Sequence, residues 1–195
     1  MIKRKIKIYI NFLVIGVFLF SSIASSQEEP MREGFFDIRA ASMELNDVFY
    51  ELDARLQLIL SGEVLEALTS AVPLTIEYDV EVIKVRRFLP DDSIASLTFV
   101  YELEYRPLSQ RYIVRNLNSG NQDSFSTLYS ALNNLGRIQS LPVIDATVLD
   151  INSKYRVRLR SRLSARQYPA ALRLIFFWRS QWNLESEWYE WMLEE

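Results

Sequence analysis

Neither cysteine nor histidine occurs in this chain of 195 residues. Without cysteine there is no disulfide framework, no thiolate metal site and no thiol nucleophile. Without histidine, imidazole zinc sites, Ser-His-Asp triads and the side chain most often used for proton transfer near neutral pH are excluded too. Glycine is scarce. Its five positions (Gly16, Gly34, Gly62, Gly120 and Gly136) lie far apart, so neither a dinucleotide-binding loop, a P-loop nor a nucleophile elbow can be written. No internal repeat or low-complexity stretch is visible. Lys3, Arg4, Lys5 and Lys7 are the only charges in the first 26 residues, which leaves 18 basic against 25 acidic residues beyond them, a net charge of about −7. Such a surface repels a phosphate backbone, and nucleic acid is not an expected partner.

What is present begins with an export signal. The four basic residues precede an apolar run from Ile8 to Phe20, interrupted by Asn11 and Gly16, and the small residues Ser21, Ser22, Ala24, Ser25 and Ser26 follow. This is the plan of a secretory signal peptide over residues 1–26, cut before Gln27 or, on Ser22 and Ala24, before Ser25. An uncleaved inner-membrane anchor is the alternative, but the run spans only roughly 20 Å at helical rise against about 30 Å of hydrocarbon. Export to the periplasm is expected. A flexible lead-in over 27–34, containing Pro30, then precedes a single β-rich domain over 35–195. At 49% hydrophobic and 24% charged residues, the chain has ordinary globular composition.

Period-two patterning dominates that domain. Phe36, Ile38 and Ala40 alternate with polar neighbours, and after an Asn46-Asp47 turn the positions Val48, Tyr50, Leu52, Ala54, Leu56, Leu58 and Leu60 repeat the pattern, which predicts strands. Ser61 is placed to cap a short helix carrying Val64, Leu65, Leu68 and Ala71, with Pro73 ending it. Leu74, Ile76, Tyr78 and Val80 then face inward, with Thr75, Glu77, Asp79 and Glu81 outward, and a change of parity at Val82 to Val85 predicts a bulge. Further strands are expected through Leu97, Phe99, Tyr101, Leu103 and Tyr105, through Tyr112 and Val114, and from Lys154 through Tyr155, Val157, Leu159 and Leu163. Ser124 is read as the cap of a second helix with Phe125, Leu128, Ala131, Leu132 and Leu135, ended by Gly136. A strand through Leu172, Leu174, Phe176 and Trp178 leads into a helical or irregular tail bearing Leu184, Trp188, Trp191 and Met192. The fold class expected is mainly β (α+β): an antiparallel sheet or sandwich with two short inserted helices.

Candidate chemistry is thin. Asn116, Asn118 and Asp123 resemble a calcium loop only faintly, with the wrong carboxylate count and glycine position. Glu77, Asp79, Glu81, Glu102 and Glu104 are numerous enough for acid/base work on a sugar, but their parity fits a solvated sheet face. Arg156, Arg158, Arg160 and Arg162 form a stripe suited to lipid headgroups or an acidic partner. The ordinary alternative is cross-strand pairing with Glu77, Asp79 and Glu81, which predicts surface charges of modest energetic weight. Trp182, Trp188 and Trp191 make either a docking patch or an aromatic plug closing the core. No catalytic residue, metal ligand or cofactor is indicated.

The ordered succession Glu66-Ala67-Leu68, Val72-Pro73-Leu74, Arg86-Arg87-Phe88, Tyr101 to Leu108, Gln110-Arg111-Tyr112, Ser124 to Leu132, Tyr155 to Arg160, Tyr168-Pro169 with Leu172, and Trp182 to Ser186 with Trp188 and Trp191 resembles the proteobacterial exported family known as domain of unknown function 4390. The chain departs from it in Arg87 to Leu89, where tryptophan is commoner, and at Tyr168, where leucine is. The resemblance brings no catalytic residues. It implies a genetic association with a membrane sensor kinase. The expected function is therefore a non-enzymatic periplasmic accessory or interaction module with an envelope partner such as that kinase. A carrier or binder of an apolar or anionic envelope molecule is the alternative.

Overall fold

The computed structural model describes residues 33–87, 90–164, 168 and 180–193. The signal segment, nearly all of the lead-in, and the strand expected through Leu172 to Trp178 lie outside the described residues.

Among the described residues the chain is mainly β, with two antiparallel sheets and two short helices. The smaller sheet has the order β1-β2-β7, built from β1 (Phe35–Asn46), β2 (Phe49–Ile59) and β7 (Arg137–Asp145). The larger has the order β6-β5-β4-β3-β8-β9, with β3 (Leu74–Val85) and β8 (Lys154–Ser164) paired near its middle. Its remaining strands are β4 (Asp92–Arg106), β5 (Arg111–Asn116), β6 (Gln122–Phe125) and β9 (Tyr189–Met192). The inward residues of both sheets form one core: Leu52 and Leu58 from β2 meet Ile76, Tyr78, Val80 and Val82 from β3 and Val157 and Leu159 from β8. Each such buried side chain contributes about 1.5–3 kcal/mol relative to exposure.

Helix α1 (Gly62–Thr69) starts at the expected cap, the Ser61 hydroxyl accepting from the Val64 amide at 3.4 Å, and buries Val64 and Leu68. Ala71, expected on its apolar face, is exposed and turns the chain out of the helix at φ 63°. The parity change in β3 is a bulge in its pairing with β4 between Val82 and Ile83. Two glycines mark close backbone approaches. A Cβ on Gly34 would fall 2.8 Å from the Ile59 carbonyl oxygen and closer still to the Ser61 nitrogen, and one on Gly136 would strike the carbonyl oxygen of Leu56.

Other expectations are corrected. Helix α2 (Leu128–Leu135) is capped by Thr127, while Ser124 and Phe125 belong to β6, so that helix begins a turn later than expected. Strand β7 was not foreseen; Pro142 and two register shifts against β2 break its alternation. The end of the tail is a strand: β9 pairs with β8 through Val157↔Trp191 and Leu159↔Tyr189. Apolar or aromatic residues on both faces of this short strand mimic helical spacing. Val48, counted in the period-two run of β2, sits in the turn and is 46% exposed.

Candidate functional site

The arginine stripe lies on the face of the large sheet turned away from the core, since Arg156, Arg158, Arg160 and Arg162 alternate with the buried Tyr155, Val157, Leu159 and Ser161. Register sets each arginine across from β3: Arg158 opposite Glu81, Arg160 opposite Asp79, Arg162 opposite Glu77. The pairs close at 2.7 Å for Arg158–Glu81, 3.1 Å for Arg160–Asp79 and 2.7 Å for Arg162–Glu77. Arg162 also reaches Asp79, Arg160 reaches Glu185 at 2.6 Å, and Arg156 pairs with Asp91 at 2.8 Å. This is the cross-strand pairing the alternation predicts, but it is not a solvated face. Glu77 and Asp79 are buried, at 5% and 8% exposure, and the four guanidinium side chains are only 20–35% exposed. The physical reason is shielding by neighbours that strand parity cannot reveal. Every arginine of the stripe is engaged, so the ladder neutralises itself rather than presenting free charge to an anion.

The tryptophans separate. Trp182, in a 3-10 turn (Ser180–Trp182), is buried and belongs to the core with Leu184. Trp188 lies against the ladder, with the guanidinium carbons of Arg158 and Arg160 each 4.4 Å from its ring centroid, a cation–π arrangement. Trp191 is half-buried beside Tyr189, 5.8 Å between ring centroids, and its indole nitrogen is buried without a hydrogen-bond partner among the described residues. The stripe and Trp188 thus form one assembly, while Trp182 and Trp191 serve other surroundings. Trp178 lies outside the described residues.

The Asn116–Asp123 loop spends its amide oxygens on backbone. Asn116 accepts from the amides of Asn118 and Ser119, and Asn118 accepts from that of Val100 at 2.7 Å. Among the described residues no group of three or more carboxylates is placed to hold a metal ion.

The feature that sequence reasoning missed lies at one end of the sandwich. There residues of both sheets line a cleft of about 980 Å³, with Leu45 and Tyr50 on one side and Tyr155 and Leu193 on the other. The β7–β8 connection, through Ala146, Leu149 and Ile151, forms its lip. Leu45, Val48, Phe49, Val148, Ile151 and Met192 are all exposed around this end, Ile151 at 86%. The connection is pinned by two aspartates. Asp145 accepts from the Thr147 amide and hydroxyl at 2.8 and 2.7 Å, and Asp150 from the Asn152 amide at 3.0 Å, the Ser153 hydroxyl at 2.9 Å and the Lys84 ammonium at 3.2 Å. Those hydrogen bonds hold both carboxyl groups below the usual carboxylate range. A signal for this site was present: Leu45, Val48, Val148 and Ile151 are large apolar residues beside or within turns, where polar residues are the rule.

Residues 35–192 match the model of a family described as Domain of unknown function (DUF4390). No curated protein and no solved structure matches the chain.

Proposed function

This chain belongs to the family described as Domain of unknown function (DUF4390), and from that premise we propose that it is an exported, non-enzymatic interaction module of the periplasm whose working surface is the apolar end of the sandwich. The observation that carries the reading is that exposed Leu45, Ile151 and Met192 line one cleft, with Val48, Phe49 and Val148 exposed at the same end of the sandwich. Single exposed apolar residues are ordinary, whereas their concentration at the mouth of a cleft marks a surface that another molecule covers. The charged ladder offers less, because its arginines are already paired. The absence of histidine and cysteine from the sequence, and the engagement of Glu77 and Asp79 by arginines, support a role without chemistry. Export rests on the signal-like first 26 residues. No helix among the described residues is long and apolar enough to cross a membrane. The partner favoured by the family resemblance is the extracytoplasmic part of a membrane sensor kinase.

The test is site-specific photocrosslinking in the native envelope. A crosslinker at Ile151 should form an adduct with an inner-membrane protein carrying a periplasmic domain, and one at Tyr129, exposed at 79% on α2, should not. No adduct at Ile151, or equal capture at both positions, overturns the reading. A second reading, a binder of an apolar or anionic envelope molecule, is favoured by the cleft itself, whose volume falls within the range of small-molecule sites.

A further inference from the structure

We infer that the end cleft binds a single-chain amphiphile as a monomer, its hydrocarbon chain between the sheets and its anionic head at Lys154. The inference rests on the second reading of the apolar end and specifies its ligand. The cleft continues the core instead of lying flat on the surface, because Leu45 and Tyr50 lie at the end of the β1–β2 ladder while Tyr155 and Leu193 lie at the end of the large sheet. Tyr155 is 94% buried at its floor (6% exposed), and its hydroxyl is fixed by the Asp150 amide at 2.8 Å. A slot with such walls matches the flexible, featureless sides of an alkyl chain better than a polar solute.

The charges at the mouth select the head. Two of the three near it are spent on each other: Asp150 is held by Lys84 and by the amide and hydroxyl of its own turn. Lys154, the first residue of β8, is exposed and has no ion pair among the described residues. Among the described residues, one cation without an ion pair therefore stands at the mouth of an apolar slot, on a chain whose net charge is −3 overall. A carboxylate, sulfate or phosphate head on a single chain satisfies both features at once. An anionic bilayer does not, because it would lie against an apolar face, whereas this slot is walled by Leu45 and Tyr50 on one side and by Tyr155 and Leu193 on the other.

Isothermal titration calorimetry of the protein with octanoate, decanoate and dodecanoate, each below its micellar concentration, tests the inference. The dissociation constant should fall about fourfold for each added methylene until the slot is full. Lys154→Met, an exposed substitution that leaves the fold intact, should weaken dodecanoate at least about tenfold while leaving dodecanol unchanged. Ala146→Trp, which fills the lip, should abolish both. Binding independent of chain length, equal affinity of Lys154→Met for dodecanoate, or preference for phosphatidylglycerol vesicles over monomeric ligand overturns it. The outcome is separable from that of the docking reading. Silent titrations with a persistent Ile151 crosslink sink the amphiphile alone, and silence in both sinks the apolar end as a working surface.

Discussion

Tyr78 shows how much one buried polar atom can decide. Its ring is fully buried in the core of β3 and meets Tyr101 edge-on at 5.5 Å, and its hydroxyl donates to the Leu135 carbonyl at 2.8 Å, satisfying one of the free carbonyls that end α2. Burial drives its pKa well above the ordinary tyrosine value. Tyr78→Phe keeps the packing but leaves that carbonyl unsatisfied, so stability should fall by about 1–3 kcal/mol. Urea unfolding should show a lower midpoint at unchanged slope; an unchanged midpoint would mean water replaces the hydroxyl. The ladder arginines differ by the same logic. Arg160 covers Asp79, whose side chain is 11% exposed, whereas Arg156 pairs with Asp91, which is 35% exposed. Arg160→Ala should therefore cost about 2 kcal/mol, between the surface and fully buried limits, and Arg156→Ala less than about 1. Equal losses would show that shielding of Asp79 carries no weight. Alternation alone made Tyr78 inward and the arginines outward. It could not show that the outward acids are buried, because that depends on which strand lies beside which.

At the scale of elements, legibility followed the regularity of the pattern. Strands β2 and β8, and β3 as far as its parity change at Val82, alternate cleanly and were readable, as was α1 from its Ser61 cap; β7 was not, because Ser140 sits at φ 45° and Pro142 follows within two residues. The lip of the cleft was equally opaque, its order depending on side-chain caps that leave no periodic trace. Those caps give it a pH dependence. Asp145 and Asp150 have carboxyl groups lowered by the hydrogen bonds they accept, so their support of the turn is complete above the ordinary carboxylate range and is lost as pH falls through the lowered folded values. Amide exchange, corrected for its intrinsic pH dependence, should show protection at Thr147 and Asn152 falling on acidification while protection in β3 holds. Protection at those two amides that survives to strongly acid pH, with β3 equally intact, would mean that backbone contacts such as Ala146 to the Val48 carbonyl hold the lip without the carboxylates.

For the whole molecule, an antiparallel sheet or sandwich could be anticipated from the strand pattern and turns, but not the way the chain's last described segment ties the fold together. The Ser61 hydroxyl, while capping α1, donates to the Gln181 carbonyl at 2.8 Å, and the Glu63 amide donates to the Gln181 side chain at 3.2 Å. Trp182 and Leu184 then enter the core, at 9% and 4% exposure. Beyond them the Leu163 amide donates to Leu184 and the Ser186 amide to Ser161, each at 2.8 Å, and β9 continues along the same edge of β8. One segment thus caps a helix, fills the core and covers an otherwise open sheet edge. Losing a buried tryptophan alone typically costs about 3–5 kcal/mol, against a total stability of about 5–15 kcal/mol for a domain. Deleting residues 180–195 should therefore unfold most of the protein at 25 °C or move its urea midpoint to a small fraction of the original, with Trp182→Ala and Leu184→Ala falling between the two. Far-UV circular dichroism is the suitable probe, since it does not depend on the tryptophans removed. If the truncated protein keeps its midpoint, the segment is an appendage laid over a finished core, and Trp188 and Trp191 become a docking surface instead of part of the frame.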